Sequence, residues 1–103
     1  MEQFRLGKTG LMVSRMGFGA LPIQAVDSES AQKVVRYAFN QGINFFDTAR
    51  FYTTSETDLG KALAGLGDQV IVATKALYRG MDDLVKDFET SYINLQRDYI
   101  DLF

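Results

Sequence analysis

The feature that most restricts the fold of this chain is a repeat of short apolar segments. They begin near positions 16, 43, 70 and 99, about 28 residues apart, and a helical pattern lies between each pair. A strand followed by an amphipathic helix and a second strand is a βαβ unit, in which the two strands are parallel. Three such units in succession predict an α/β fold built on a parallel sheet.

The repeat also sets the bounds of the predicted elements. The predicted strands are 16–21, 43–46, 70–74 and 99–103, and the predicted helices are 28–41, 55–66 and 82–96. Ahead of them, alternating apolar residues on both sides of a turn at 7–10 predict a β-hairpin. Gly42 is expected just past the end of the first helix, and Ser55 with Asp58 resembles a capping box at the start of the second.

Two architectures share this repeat, the doubly wound sheet and the (β/α)8 barrel, and periodicity alone does not separate them. With 103 residues, of which 47% are hydrophobic, the chain is expected to form one domain spanning 1–103. Its last strand is apolar and has no helix after it. We therefore expect open sheet edges and a partly uncovered sheet face.

Composition excludes several classes of function. The formal net charge is -2 and no block of basic residues occurs, so we expect no nucleic-acid partner. The chain has no cysteine and no histidine, which removes disulfides, thiolate chemistry and the usual zinc ligands, and no metal site is predicted. It has neither the apolar core of a signal peptide nor a run of about 18 apolar residues, so a cytoplasmic protein without a membrane partner is expected.

Three polar residues follow the predicted strands at the ends where reacting groups collect in parallel α/β folds. Asp47 comes directly after the second strand, Tyr52 lies in the loop that follows, and Lys75 ends the third strand. The carboxyl ends of neighbouring parallel strands meet at one edge of the sheet. We expect these three side chains to lie close together.

The residues alone leave two interpretations open. Asp47 and Lys75 could form a structural ion pair, and Tyr52 could be a packing anchor beside Phe51. In the catalytic interpretation, an aspartate holds a lysine ammonium beside a tyrosine hydroxyl. Such an ammonium lowers the pKa of a phenol, which can then exchange a proton with a carbonyl oxygen near neutral pH. The glycines near Pro22 do not form a dinucleotide fingerprint, because proline takes the place of the third glycine and no helix begins directly behind it.

The motifs in their order resemble the aldo-keto reductase family. The segments that carry the resemblance are LGKTGLMVS at 6–14, MGFG at 16–19, GINFFDTA at 42–49, Tyr52, Ser55-Glu56, ATK at 73–75 and LQRDYIDL at 95–102. Together they extend over nearly the whole chain. The resemblance implies the N-terminal portion of a (β/α)8 TIM barrel, in which a β-hairpin precedes four parallel strands alternating with helices.

The same resemblance implies an NAD(P)H-dependent oxidoreductase that reduces aldehyde or ketone carbonyls to alcohols, with NADP(H) or NAD(H) as cofactor. By position, Tyr52 would be the general acid, Lys75 would assist it, and Asp47 would pair with Lys75 and reach the nicotinamide ribose. The backbone at Gly19, Ala20 and Leu21 would lie beside the nicotinamide. The sequence predicts neither the carbonyl substrate nor the choice between the two cofactors.

The resemblance also implies a histidine just past the fourth strand, whereas Phe103 is the last residue of the sequence. We therefore expect a truncated chain, inactive alone, or one that self-associates through its open sheet edges. Two alternatives stay open: a cofactor-binding regulatory subunit with little turnover, and a half-barrel that assembles with a second copy. The segment 21–24 resembles a subgroup whose longer members carry a ferredoxin-like tail.

Overall fold

The structure, a computed structural model, describes residues 1–103 and begins with the predicted hairpin. Strands β1 (Gln3–Arg5) and β2 (Met12–Ser14) pair antiparallel, with Phe4 opposite Val13. Thr9 holds the turn together, because its hydroxyl donates to the carbonyl of Leu6 at 2.6 Å and accepts from a backbone N–H two residues on. The hairpin forms a small sheet of its own.

The main sheet is parallel, and its strands follow one another in chain order. Strands β3 (Phe18–Gly19), β4 (Phe45–Asp47) and β5 (Ile71–Ala73) are hydrogen-bonded neighbours in that sequence. The predicted fourth strand contributes a single parallel bridge, from Leu102 to Ala73. The strands are shorter than predicted: the first ends at Gly19, two residues before the predicted end at 21, and residues 21–25 form a turn of 3-10 helix with Pro22 near its start.

Three helices fill the connections, as the periodicity predicted. They are α1 (Ser28–Asn40), α2 (Ser55–Ala62) and α3 (Met81–Asn94). Asp27 caps α1, since its carboxylate accepts the backbone N–H of Ser30 at 2.9 Å. Gly42 lies just past the end of that helix at a φ of +100°, which favours glycine.

The predicted capping box at α2 is wrong. Thr54 is the N-cap residue and makes no side-chain cap bond. The hydroxyl of Ser55 donates instead to the carbonyl of Ala20 at 2.9 Å, and the carboxylate of Asp58 accepts from Ser28. Both side chains are buried, so tertiary partners replaced the local partners that the sequence pattern suggested.

The two faces of the sheet have different neighbours. Phe46, Val70 and Val72 have no exposed surface and belong to one hydrophobic cluster with residues of α1 and α2, such as Val35 and Leu59. Because side chains alternate along a strand, Asp47 and its register partners Gly19 and Ala73 lie on the opposite face. The helices therefore cover one face only.

This strand order decides between the two architectures that the periodicity left open. A doubly wound sheet reverses direction and places a later strand beside the first one. Here the segment at Leu102 adds beyond β5, while α2 packs against both α1 and α3. The chain is the N-terminal portion of a (β/α)8 barrel. None of its helices is long and apolar enough to cross a membrane.

Candidate active site

The loop after β4 is joined to the end of β5 by backbone hydrogen bonds that continue past the strands. Thr48 donates its N–H to the carbonyl of Ala73 at 2.9 Å, and Arg50 donates its N–H to the carbonyl of Lys75 at 2.8 Å. Residues 48–54, here called the tyrosine loop, therefore run beside the segment that carries Lys75. Tyr52 itself lies in a turn, where its N–H donates to the carbonyl of Ala49 and its carbonyl accepts from Ser55.

Asp47 and Lys75 form an ion pair on the face of the sheet that the helices leave free. The Lys75 Nζ donates to Asp47 Oδ2 at 2.9 Å and to the carbonyl oxygen of Thr48 at 2.9 Å. The Lys75 and Asp47 side chains keep 44% and 51% of their surface exposed. An ion pair this accessible contributes little to stability, roughly 0–1 kcal/mol. Stability alone therefore gives a weak reason for it.

Tyr52 completes the predicted trio. The Lys75 Nζ lies 5.3 Å from the centroid of the Tyr52 ring, within the range of a cation–π interaction. Phe51 packs its ring edge-to-face against the Tyr52 ring, with centroids 5.2 Å apart. The structure thus brings together all three residues that the sequence placed at one edge of the sheet, although the Lys75 ammonium lies against the Tyr52 ring and makes its hydrogen bonds to Asp47 and Thr48, not to the Tyr52 hydroxyl.

The predicted cofactor-binding residues lie on the neighbouring strand. Gly19 pairs in register with Asp47, and a Cβ added there would meet no atom within 4 Å, so the space beside the ion pair is open. Leu21 is half-exposed, whereas Ala20 is fully buried. The Ala20 N–H donates to the carbonyl of Asp47 at 2.8 Å and its carbonyl accepts from Ser55. Accessible surface at this edge therefore comes from Gly19 and Leu21.

A buried hydroxyl pair fixes this edge from below. The hydroxyls of Thr48 and Ser55 lie 2.7 Å apart, and neither residue has exposed surface. Since the Ser55 hydroxyl gives its single hydrogen to the carbonyl of Ala20, Thr48 must be the donor within the pair. This chain of two bonds ties the ends of β3 and β4 to the first turn of α2.

Sequence reasoning assigned no role to Glu56, which is 1% exposed. Its carboxylate forms an ion pair with Arg50 and accepts from the Thr74 hydroxyl at 2.7 Å. The signal was present in the sequence, because Glu56 lies three residues before Leu59 on the apolar face of α2. A carboxylate at such a position needs a buried partner.

Comparison with known proteins identifies the family of this chain. The model of the Aldo/keto reductase family matches residues 15–103. Together with the strand order and the trio at the sheet edge, this places the chain in the aldo/keto reductase family.

Several curated relatives align over almost the whole chain. L-galactose dehydrogenase of Arabidopsis thaliana is 43% identical over 99% of this chain, and aldo-keto reductase YhdN of Bacillus subtilis is 36% identical over 100% of it. A probable voltage-gated potassium channel subunit beta of Arabidopsis thaliana is 28% identical over 99%. The chain spans 37% of the length of the first two relatives and 36% of the third.

Solved structures also match almost the whole of this chain while extending well beyond it. The holo form of aldo-keto reductase AKR11C1 from Bacillus halodurans matches with a TM-score of 0.83 and 32% identity, covering 97% of this chain and 38% of that one. The thermostable aldo-keto reductase Tm1743, solved with the inhibitor epalrestat, matches with a TM-score of 0.84 and 26% identity, covering 97% and 40%.

Proposed function

We propose that the chain belongs to an NAD(P)H-dependent oxidoreductase that reduces aldehyde or ketone carbonyls to alcohols. The observation that carries the proposal is the position of the Lys75 ammonium, 2.9 Å from Asp47 and 5.3 Å from the Tyr52 ring, at the carboxyl end of the parallel strands. Reacting groups of barrel enzymes collect at this end. Several relatives carry names of oxidoreductases, among them a dehydrogenase and an aldo-keto reductase.

The chemistry assigns one task to each member of the trio. Tyr52 donates its hydroxyl proton to the carbonyl oxygen of the substrate, and water restores that proton afterwards. Lys75 stabilises the negative charge that develops on the phenol oxygen, because a nearby ammonium favours the ionised form. Asp47 holds the ammonium in place through its hydrogen bond. A reduced nicotinamide would supply the two electrons to the carbonyl carbon as a hydride.

The residues present fit a nicotinamide at this edge. The open space over Gly19 adjoins Asp47 in register, so a flat ring with a ribose could lie there within reach of the carboxylate. Exposed Leu21 would offer an apolar contact to the ring. Ala20 is buried and would fix the position of the backbone at this edge. In this proposal Gly19, Leu21 and Asp47 contact the cofactor, which is either NADP(H) or NAD(H), and buried Ala20 holds the backbone of Gly19 and Leu21 in place.

The test measures carbonyl reduction by the natural gene product, purified at whatever length its gene encodes. We expect NADPH or NADH oxidation that depends on an added aldehyde. The substrates assayed include L-galactose, tested in the oxidative direction, because one relative is named L-galactose dehydrogenase. Tyr52→Phe removes the transferred proton and should lower turnover roughly 100-fold or more, while nucleotide affinity is kept. Wild-type protein that binds nucleotide but turns over no carbonyl or alcohol would refute the enzymatic proposal.

One observation favours a second candidate, a regulatory subunit. A channel subunit beta is among the relatives that align over 99% of the chain. Such a role would combine nucleotide binding with little turnover and a stable complex with a membrane-protein partner. Kinetics and affinity purification from the native source, done side by side, separate the two candidates.

A further inference from the structure

We infer that Glu56 is a positioning residue, whose carboxylate fixes the tyrosine loop against the end of β5 and so sets where Tyr52 stands relative to Lys75. This inference rests on the proposed function for its effect on turnover. Its structural content, the hold that Glu56 has on the tyrosine loop, is independent of any activity.

The contacts of Glu56 converge from three elements. Oε1 accepts from Arg50, in the tyrosine loop, and from Asn94 Nδ2, at the end of α3, at 3.4 Å. Oε2 accepts from the hydroxyl of Thr74, one residue past β5, at 2.7 Å. With 1% of its surface exposed, the carboxylate has essentially no access to water. Both oxygens are used by protein donors.

The same contacts lead directly to the trio. Arg50, which pairs with Glu56 through its side chain, donates its backbone N–H to the carbonyl of Lys75 and lies two residues before Tyr52. Thr74, which bonds the other oxygen, immediately precedes Lys75. One carboxylate therefore constrains both the segment that carries the phenol and the segment that carries the ammonium.

Stability is a poor explanation for this arrangement. A buried ion pair is often no more stabilising than apolar side chains of similar volume, because the lost hydration offsets the attraction between the charges. A pair that joins three elements can instead specify one geometry. Catalysis depends strongly on such geometry, since a displacement of about 1 Å can slow a reaction roughly 100-fold.

The same helix offers a matched control. Asp58 is also buried, at 3% exposure, and its carboxylate accepts from Ser28, the first residue of α1. The Asp58 carboxylate makes no hydrogen bond to the trio or to the tyrosine loop. Asp58→Asn therefore removes a buried negative charge from α2 without loosening the site.

The kinetic experiment compares Glu56→Gln with Asp58→Asn in the natural gene product. We expect Glu56→Gln to lower kcat roughly 10- to 100-fold while the Kd for NADPH changes less than about threefold. Asp58→Asn should change kcat less than about threefold. An unchanged kcat in Glu56→Gln, or an equal loss in both variants, would overturn the inference.

A second variant covers the case in which Glu56→Gln folds poorly. Arg50→Met combined with Glu56→Leu fills a similar volume without leaving a buried charge unpaired, and the buried donor that loses its acceptor is the neutral hydroxyl of Thr74, so a folded protein is expected. We expect it to keep the low kcat of Glu56→Gln. Wild-type kcat in this double variant would show that the ion pair does not position the site.

Hydrogen exchange provides a readout that needs no turnover. In Glu56→Gln we expect peptides covering residues 48–54 to exchange roughly tenfold faster, because the Arg50 N–H is less firmly held to the Lys75 carbonyl. Asp58→Asn should leave this segment unchanged. If wild-type protein reduces no carbonyl, the proposed function fails while this result still decides the inference. Unchanged exchange in Glu56→Gln would refute it.

Discussion

Asp47 combines an exposed side chain with a central place in the candidate site. Its bond to the Lys75 ammonium is 2.9 Å long, yet half of its side-chain surface faces solvent. Salt screens such a pair and hydration competes with it, so losing the pair should lower the free energy of unfolding only slightly. The same loss frees the ammonium to move away from Tyr52, which should be costly for proton transfer.

We therefore predict that Asp47→Asn separates stability from turnover. Its unfolding free energy, from urea denaturation, should fall by at most about 1 kcal/mol, while kcat should fall roughly 10- to 100-fold. Glu29→Gln is the control, because Glu29 pairs with Lys33 on the exposed surface of α1 at 3.0 Å. It should affect neither quantity, and a large stability loss in Asp47→Asn would contradict the assignment of this pair to the site.

At the residue scale, the sequence predicted which side chains meet but not what holds them. Asp47, Tyr52 and Lys75 could be placed because strand ends in a parallel sheet share one edge. The role of Glu56 could not, since its partners Arg50 and Thr74 come from separate segments whose packing no local pattern encodes. Its place on an apolar helix face was the available signal.

At the scale of elements, α2 and α3 approach each other unusually closely at Gly60. A Cβ added there would lie 2.4 Å from the carbonyl oxygen of Asn94 and 2.9 Å from backbone atoms of Leu95. These neighbours are backbone at the end of α3, so they cannot rotate away as a flexible side chain would. Glycine therefore sets the packing distance between the two helices.

We predict that Gly60→Ala destabilises the protein despite the better helix propensity of alanine. Alanine would gain about 0.5–1 kcal/mol in an exposed helix interior, but the overlap with α3 should produce a net loss of roughly 1–3 kcal/mol. Urea denaturation measures the difference. The adjacent exposed change Lys61→Ala is the control and should stay within about 0.5 kcal/mol. A stabilised Gly60→Ala variant would mean that the helices are farther apart.

The cap of α1 should make its stability depend on pH. The backbone N–H and hydroxyl of Ser30 donate to the Asp27 carboxylate and hold its pKa below the ordinary value of 3.8. Because the pKa of Asp27 is lower in the folded state, its contribution to stability is complete above the pKa of the unfolded state. That contribution is lost as the pH falls through the pKa of the folded state. The cap should thus weaken only in acid.

The lowered pKa predicts that wild type and Asp27→Ala differ most in unfolding free energy at about pH 7, and that this difference shrinks below about pH 4. Urea midpoints for the two proteins across this range provide the measurement. Asp27→Asn serves as the control, since asparagine also caps helices but carries no charge to titrate. A difference independent of pH would show that the carboxylate does not act as the cap.

Element positions were more predictable than element details. The apolar period predicted every helix of the repeat and three of the strands, because burial against a sheet requires that pattern. It overestimated strand length at Ala20 and Leu21, where the chain leaves the sheet and enters a 3-10 helix, and at residues 99–103, where a single bridge forms. Backbone pairing between strands, which decides both cases, leaves no trace in the apolar pattern.

At the scale of the whole molecule, the end of the sheet opposite the site is closed by a second polar cluster. Arg97 donates to the carbonyls of Gly67 and Val70 and to Asp101, whose carboxylate accepts the N–H of Val72 at 2.9 Å. The Arg97 and Asp101 side chains are each 8% exposed. This cluster anchors the segment after α3 beside β5 and directs Leu102 into the next strand position.

The face of α3 that lies beyond this anchor is apolar and accessible. Phe88 packs edge-to-face against Phe103, with ring centroids 5.0 Å apart, and stacks near Tyr92. Met81 and Val85 lie on the same helical face and are 63% and 50% exposed. Contiguous apolar surface of this kind is a site of association in soluble proteins. It adjoins the open sheet edge at Leu102, which offers backbone groups for pairing.

We therefore predict that the 103-residue chain, prepared alone, self-associates through this face. Sedimentation velocity should show a larger mean mass as the concentration rises over roughly 1–100 μM. Val85→Lys should reduce the association, because it places a charge that must be desolvated in the middle of the face. Val34→Lys is the matched control on α1, where an equally apolar residue is 50% exposed but stands apart from the α3 face. Wild-type chain that stays monomeric throughout, or equal effects of the two lysines, would show that the α3 face does not drive association.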